Sequence, residues 1–187
     1  MTSPSAFAYV GSPLTYAGIG SRRTPIAVLQ QMKLIAKELA VNGYTLRSGG
    51  AMGADNAFER GSIAKEVYLT DGWYTESRVV QPYPDGLLQS AEKFVWDYHP
   101  APGRCSDYAR KLLARNTFQI LGLDLQSPSR FVLCWTPDGS LDGRGRDSGG
   151  TGQALRVASA RGIPVFNFAR EGEMERLFAA LSEQESQ

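Results

Sequence analysis

Three glycine-rich segments carry most of the chemistry this chain can offer. The first, Gly18-Ile19-Gly20-Ser21-Arg22-Arg23-Thr24-Pro25, joins a glycine turn to a hydroxyl and two guanidiniums just ahead of a helical pattern. Backbone amides in such a turn, at the positive end of a helix, suit a phosphate. A plain tight turn with solvated arginines is the alternative. The third glycine of a dinucleotide fingerprint would fall on Arg23, and the Gly-Lys-Ser/Thr of a Walker loop is absent. The second segment, Ser48-Gly49-Gly50-Ala51-Met52-Gly53-Ala54-Asp55, sets three glycines and a hydroxyl between a strand and a helix. Asp55 falls in the first helical turn, where it can bond ribose hydroxyls or simply favour the helix dipole. Glu59 follows at i+4 and can share a site with Asp55 as a catalytic carboxylate pair, or sit as a surface acid. In the third, Gly149-Gly150-Thr151-Gly152 opens another helix, with Gln153 adding an amide. Arg115 and Asn116 lie on a helix between the second and third segments. Asn116 shares a face with Leu112, Leu113 and Ile120, which predicts a buried amide that braces a loop or bonds a ligand.

These segments need a scaffold that brings them together. Leu14 to Gly20 is a short apolar run, and Leu29, Met32, Ile35, Ala36 and Leu39 then recur at helical spacing. Thr24 is placed to cap that helix, Pro25 to occupy its first turn and Gly43 to end it. Tyr44 to Arg47, Lys65 to Thr70, Arg130 to Trp135 and Ile163 to Phe168 are strand-like. Helical stretches are expected over 53–60, 86–98, 106–121 with Ser106 as cap, and 151–161. Residues 71–85, which contain Trp73, Tyr74 and Tyr83, lack periodicity and are expected to form an ordered loop, its aromatics packing it down or stacking on a base. Strands alternating with helices predict an α/β fold: one Rossmann-like domain over 1–187, mostly parallel, with helices on both faces. Residues 1–13 are expected to be flexible or peripheral, and 171–187 to form an acidic helix or tail. In such sheets ligands bind beyond the carboxyl ends of the strands, so the three loops should converge on one crevice.

Composition narrows the function classes. The 187 residues carry 20 Lys plus Arg against 19 Asp plus Glu, a net +1, so a bulk attraction for duplex DNA is absent and any anion site must be local. Residues 100–170 hold ten basic against five acidic groups. One histidine and two cysteines without a CxxC cannot build a zinc site or a disulfide scaffold, which predicts no metal, no cofactor and a reducing cytoplasm. No apolar run reaches the length of a membrane span, and the N-terminus lacks the pattern of a signal peptide.

The pairing of GSRRTP with SGGAMGADNAFERG resembles the nucleotide-binding loops of the SLOG superfamily, which includes DprA-type DNA-processing proteins, LOG phosphoribohydrolases and sensors of nucleotide signals. The resemblance covers residues 14–70, returns at 110–168, and is nearest to short DprA-like proteins often found in phages. It implies a nucleotide or nucleotide-derived ligand held by Gly18, Gly20, Ser21, Arg22, Ser48, Gly49, Gly50, Gly53, Asp55, Arg115, Asn116, Gly149, Gly150, Thr151, Gly152 and Gln153. It also implies a homodimer, and two further outcomes: hydrolysis of an N-glycosidic bond, with Asp55 and Glu59 as the available carboxylates, or binding of single-stranded DNA, with Arg22 and Arg23 on successive phosphates. The LOG signature PGGxGTxxE is altered, with Ser148 for the proline and Arg156 in the register of the glutamate.

Overall fold

The computed structural model describes residues 14–185. The elements are β1 (Thr15–Gly18), α1 (Ile26–Val41), β2 (Thr45–Ser48), α2 (Ala54–Gly61), β3 (Lys65–Tyr68), β4 (Trp73–Tyr74), α3 (Leu87–Tyr98), α4 (Asp107–Leu121), β5 (Val132–Cys134), α5 (Thr151–Ala160), β6 (Val165–Asn167) and α6 (Glu173–Glu185). Six strands form one sheet in the order β4-β3-β2-β1-β5-β6. All neighbours pair in parallel except β3 and β4. This is the Rossmann-like α/β architecture expected from the alternating pattern.

The sheet is buried on both sides, and its side chains sort by the two-residue period of a strand. Tyr16, Leu46, Phe131, Leu133 and Phe166 face α1, α2 and α6. Ala17, Val132, Cys134 and Val165 face α5 and the end of α4. Helix α3 packs outside α4 through Ala91 and Val95, against Leu113 and Phe118. The run from Phe131 to Cys134 is fully buried, as its near-continuous apolar character requires.

Local chemistry departs from expectation at two places that shape the site. Thr24 does not cap α1: its hydroxyl donates to the Ser21 carbonyl at 2.6 Å, and Pro25 occupies the cap position without a side-chain bond. The hydroxyl therefore tightens the β1–α1 turn itself. Residues 71–85 are not wholly loop, because Trp73–Tyr74 pairs antiparallel with β3 and Trp73 bridges to Gln81. Tyr83 stacks on Phe118 at 4.9 Å and donates to the Leu69 carbonyl, and Trp73 packs on the same cluster, so these two aromatics hold the segment down. Elsewhere expectation holds. Ser106 accepts from the Ala109 amide as the cap of α4, and Gly43 takes a positive φ just past α1. The acidic C-terminal stretch forms α6, and the segment 1–13 lies outside the described residues.

Helices α1 and α2 meet at Gly61, where a Cβ would overlap the Lys33 carbonyl oxygen and sit 2.7 Å from the Ala36 Cβ. Helix propensity alone would make Gly61→Ala stabilising by up to about 1 kcal/mol. The backbone overlap dominates, and the expected net result is a loss of about 1–3 kcal/mol in urea denaturation. Gly103→Ala, where a Cβ meets nothing within 4 Å, should stay within about 0.5 kcal/mol of wild type.

Candidate functional site

The strand order reverses between β1 and β5, and the crevice at that switch point opens into a hollow of about 400 Å³. The β1 loop contributes residues 19–23, the β2 loop Ala51 and Asp55, and the segment before α5 residues 147–151. Helix α4 supplies the remaining wall with Leu112, Leu113, Arg115, Asn116 and Gln119. Ser21, Asp55 and Thr151, from three loops far apart in the chain, thus line one cavity.

The other residues singled out in the sequence stand behind this lining and shape it. Gly18 lets β1 approach α2: a Cβ there would lie 2.7 Å from Leu46 and from the Phe58 ring. Gly53, at φ +92, brings the β2 loop against the β1 loop, since a Cβ would sit 2.9 Å from the Ser21 carbonyl. Gly50 packs over Val67 and Leu69, and Gly152 over Ser148. Ser48 donates to Glu59 at 2.6 Å, and burial together with the nearby Glu59 charge pushes the Tyr74 hydroxyl up. Glu59 therefore faces the β2–β4 side and does not share the hollow with Asp55. Gln153 turns the opposite way from Thr151, its Nε2 donating to the Phe94 carbonyl at 2.9 Å, so it ties α5 to α3. Asn116 is half-buried at the wall, where its Nδ2 donates to the Gly150 carbonyl at 3.0 Å and braces the turn before α5. The expectation of a fully buried amide fails because Leu112 and Leu113 line the hollow beside it.

The hollow is suited to an anion. Arg22 and Arg23 are exposed on its lip, and neither forms an ion pair with a described residue. Ser21 Oγ accepts from the Arg23 amide at 3.0 Å, which fixes the turn. In the same lining, the amides of Gly150 and Thr151 at the start of α5 donate to no described acceptor. Asp147 adds one carboxylate to the rim. The turn leading to α5 is built on Asp138, which accepts from Thr136 Oγ1 and Ser148 Oγ at 2.8 Å and from the Asp147 amide at 2.9 Å. These bonds hold the Asp138 carboxyl below the ordinary carboxylate range against its partial burial. Among the described residues, no cluster of His, Cys, Asp and Glu could hold a metal ion.

Asp55 and Arg115 form the wall between the β2 loop and α4. Asp55 Oδ2 accepts from the Gly49 amide at 3.0 Å, and an Arg115 guanidinium nitrogen donates to the Gly49 carbonyl and, at 3.1 Å, to the Tyr68 carbonyl. A Cβ on Gly49 would overlap that guanidinium, so only glycine admits the contact. Arg115 Nε is buried without a partner. Burial pushes the Asp55 carboxyl up to about 6, and the nearby Arg115 charge opposes this only in part. Sequence reading missed Gln119, Leu112, Leu113 and Ile19 in the lining. Gln119 continues the face of Arg115 and Asn116 at i+4 and i+3, which is the signal that could have found it.

Because Asp55 binds its proton more tightly folded than unfolded, its contribution to stability is full below about pH 4 and declines as pH rises to about 6. Asp55→Asn does not titrate. The stability of wild type relative to Asp55→Asn should therefore fall by on the order of 3 kcal/mol between pH 4 and 7 in urea denaturation. A difference that is flat with pH, or grows, would show that Asp55 ionises freely.

Comparison with known proteins adds the following. No protein-family model matches the chain, and no curated protein matches it in sequence. Among solved structures, DNA processing protein A from Helicobacter pylori, described for its single-stranded DNA binding mode, aligns with a TM-score of 0.52 at 22% identity, covering 89% of this chain and 78% of that one. DNA processing protein A (DprA) from Streptococcus pneumoniae aligns with a TM-score of 0.46 at 19% identity, covering 83% of this chain and 50% of the other. The likeness to the H. pylori protein is one of fold.

Proposed function

We propose that the chain binds single-stranded DNA, seating the sugar-phosphate backbone in the hollow at the β1–β5 switch point. The observation that carries this reading is the pairing of two exposed, unpaired arginines, Arg22 and Arg23, with the free amides of Gly150 and Thr151 in the lining of one cavity. Guanidiniums and a helix N-terminus are both phosphate ligands, and two such groups lining one cavity suit the phosphates of a strand seated there. The fold shared with the H. pylori protein, whose description names single-stranded DNA, supports the same reading.

A mononucleotide is the second occupant the cavity suits, because about 400 Å³ lies within the range of small-ligand sites. Glycosidic hydrolysis has less support: Glu59 accepts from Ser48 and is absent from the lining of the hollow, leaving Asp55 as the single carboxylate of the expected pair in its wall. A self-association surface is not part of this reading.

Fluorescence anisotropy with labelled oligo(dT) provides the test. Binding at low salt should weaken with a log–log salt slope of about −1.5 to −2, and Arg22→Ala or Arg23→Ala should each reduce the slope by about 0.7. Nucleoside monophosphates serve as competitors: displacement of oligo(dT) at micromolar concentrations would favour the mononucleotide instead. No binding of oligo(dT) at micromolar protein and low salt would overturn the proposal.

A further inference from the structure

Gln119 is the residue of the hollow that its phosphate chemistry leaves unused. It is 2% exposed and lies one helical turn beyond Arg115 and Asn116 on the wall that α4 presents to the cavity. Its backbone carbonyl accepts from Ser129 Oγ at 2.8 Å, but among the described residues its side-chain carboxamide has no hydrogen-bond partner. Thr117 Oγ1 and Gln153 Oε1 are likewise unpartnered, yet they are sealed within the protein, whereas Gln119 abuts the hollow. Buried amides are nearly always paired, and one left open towards a cavity is a group waiting for a ligand. The lining also holds apolar side chains, Ile19 from the β1 loop and Leu112 and Leu113 two turns back on α4, with the polar Arg115 and Asn116 between them and Gln119.

We infer that Gln119 reads a nucleobase: a base turned into the hollow lies against Ile19, Leu112 and Leu113 while the Gln119 carboxamide bonds its edge. A carboxamide offers one acceptor and two donors side by side, which matches the adjacent donor and acceptor on a base edge. A phosphate, which only accepts, would leave the amide oxygen unpaired. The apolar part of the lining, Ile19, Leu112 and Leu113, suits the face of a base. The inference rests on the nucleic-acid reading of the site and adds a base subsite beside the phosphate contacts of Arg22 and Arg23.

The experiment compares Gln119→Leu with wild type on oligo(dT), oligo(dA), oligo(dC) and an abasic tetrahydrofuran oligonucleotide of equal length. Wild type should bind at least one base-bearing oligonucleotide more tightly than the abasic one. Gln119→Leu should cut that advantage roughly threefold to tenfold while leaving abasic affinity unchanged. Arg22→Ala, by contrast, should weaken all four alike. The melting temperature of Gln119→Leu should equal or exceed that of wild type, since no protein hydrogen bond is lost. Equal loss on abasic and base-bearing strands, an unchanged base advantage or a fall in melting temperature would overturn the base subsite and leave backbone binding intact. No binding of any strand by wild type would overturn both.

Discussion

The hollow depends on a single cross-brace. The Arg115 guanidinium reaches from α4 to the carbonyls of Gly49 and Tyr68, and Asp55 takes the Gly49 amide from the other side. Both polar groups of Gly49 are thereby used, so the β2 loop is held at a fixed distance from the helix. The brace works only because residue 49 has no side chain and because two opposite charges share the wall. Burial still dominates the Asp55 carboxyl, which marks a wall stabilised by hydrogen-bond geometry more than by full ionic pairing.

Around that brace, several groups at the cavity have no partner among the described residues. Arg115 Nε, the amides of Gly150 and Thr151, and the Gln119 carboxamide all belong to residues of its lining. Of these, Arg115 Nε is fully buried, and an unsatisfied buried polar group costs about 1–3 kcal/mol. The Asp138 turn shows that the same chain can satisfy such groups where it needs rigidity: Thr136, Ser148 and two backbone amides converge on one carboxylate.

Much of this was legible in residue order, because the loops follow strands whose hydrophobic pattern is unambiguous. The parallel sheet, the Ser106 cap and the convergence of Ser21, Asp55 and Thr151 follow from periodicity and the switch-point rule. What failed turns on rotation and rise. Glu59 shares a helical stripe with Asp55, but four residues carry it about 6 Å along α2, where it accepts from Ser48 and does not line the hollow. Gln153 is two residues past Thr151, a rotation of about 200°, and so faces α3. Strand β4 has two residues, too few to show a period, and exists because β3 offers it an edge. Gln119 escaped notice because a polar residue deep in an apolar helix resembles an ordinary core amide until the cavity beside it is seen.

Net charge is a poor guide to where exposed cations stand around the hollow. In the stretch 100–170, which carries the surplus of basic residues, Arg110 is bound to Glu92, Asp107 and the Cys105 carbonyl and Arg144 pairs with Asp142, while Arg104, Lys111 and Arg146 are exposed and form no ion pair with a described residue. Arg161 lies over the Phe94 ring. In the electrically neutral first half, Arg47 is buried against Glu66, but Arg22 and Arg23 stand free on the lip of the hollow. A field that steers a phosphate is set by the few charges within about a Debye length that have no partner, and those two arginines sit where the strand order already makes a crevice. The positioning comes from the Ser21 turn: its carbonyl is held by Thr24 and its hydroxyl by the Arg23 amide. The residue expected to cap a helix thus serves to aim the cations, and the electrostatics of the site follow from backbone geometry more than from composition.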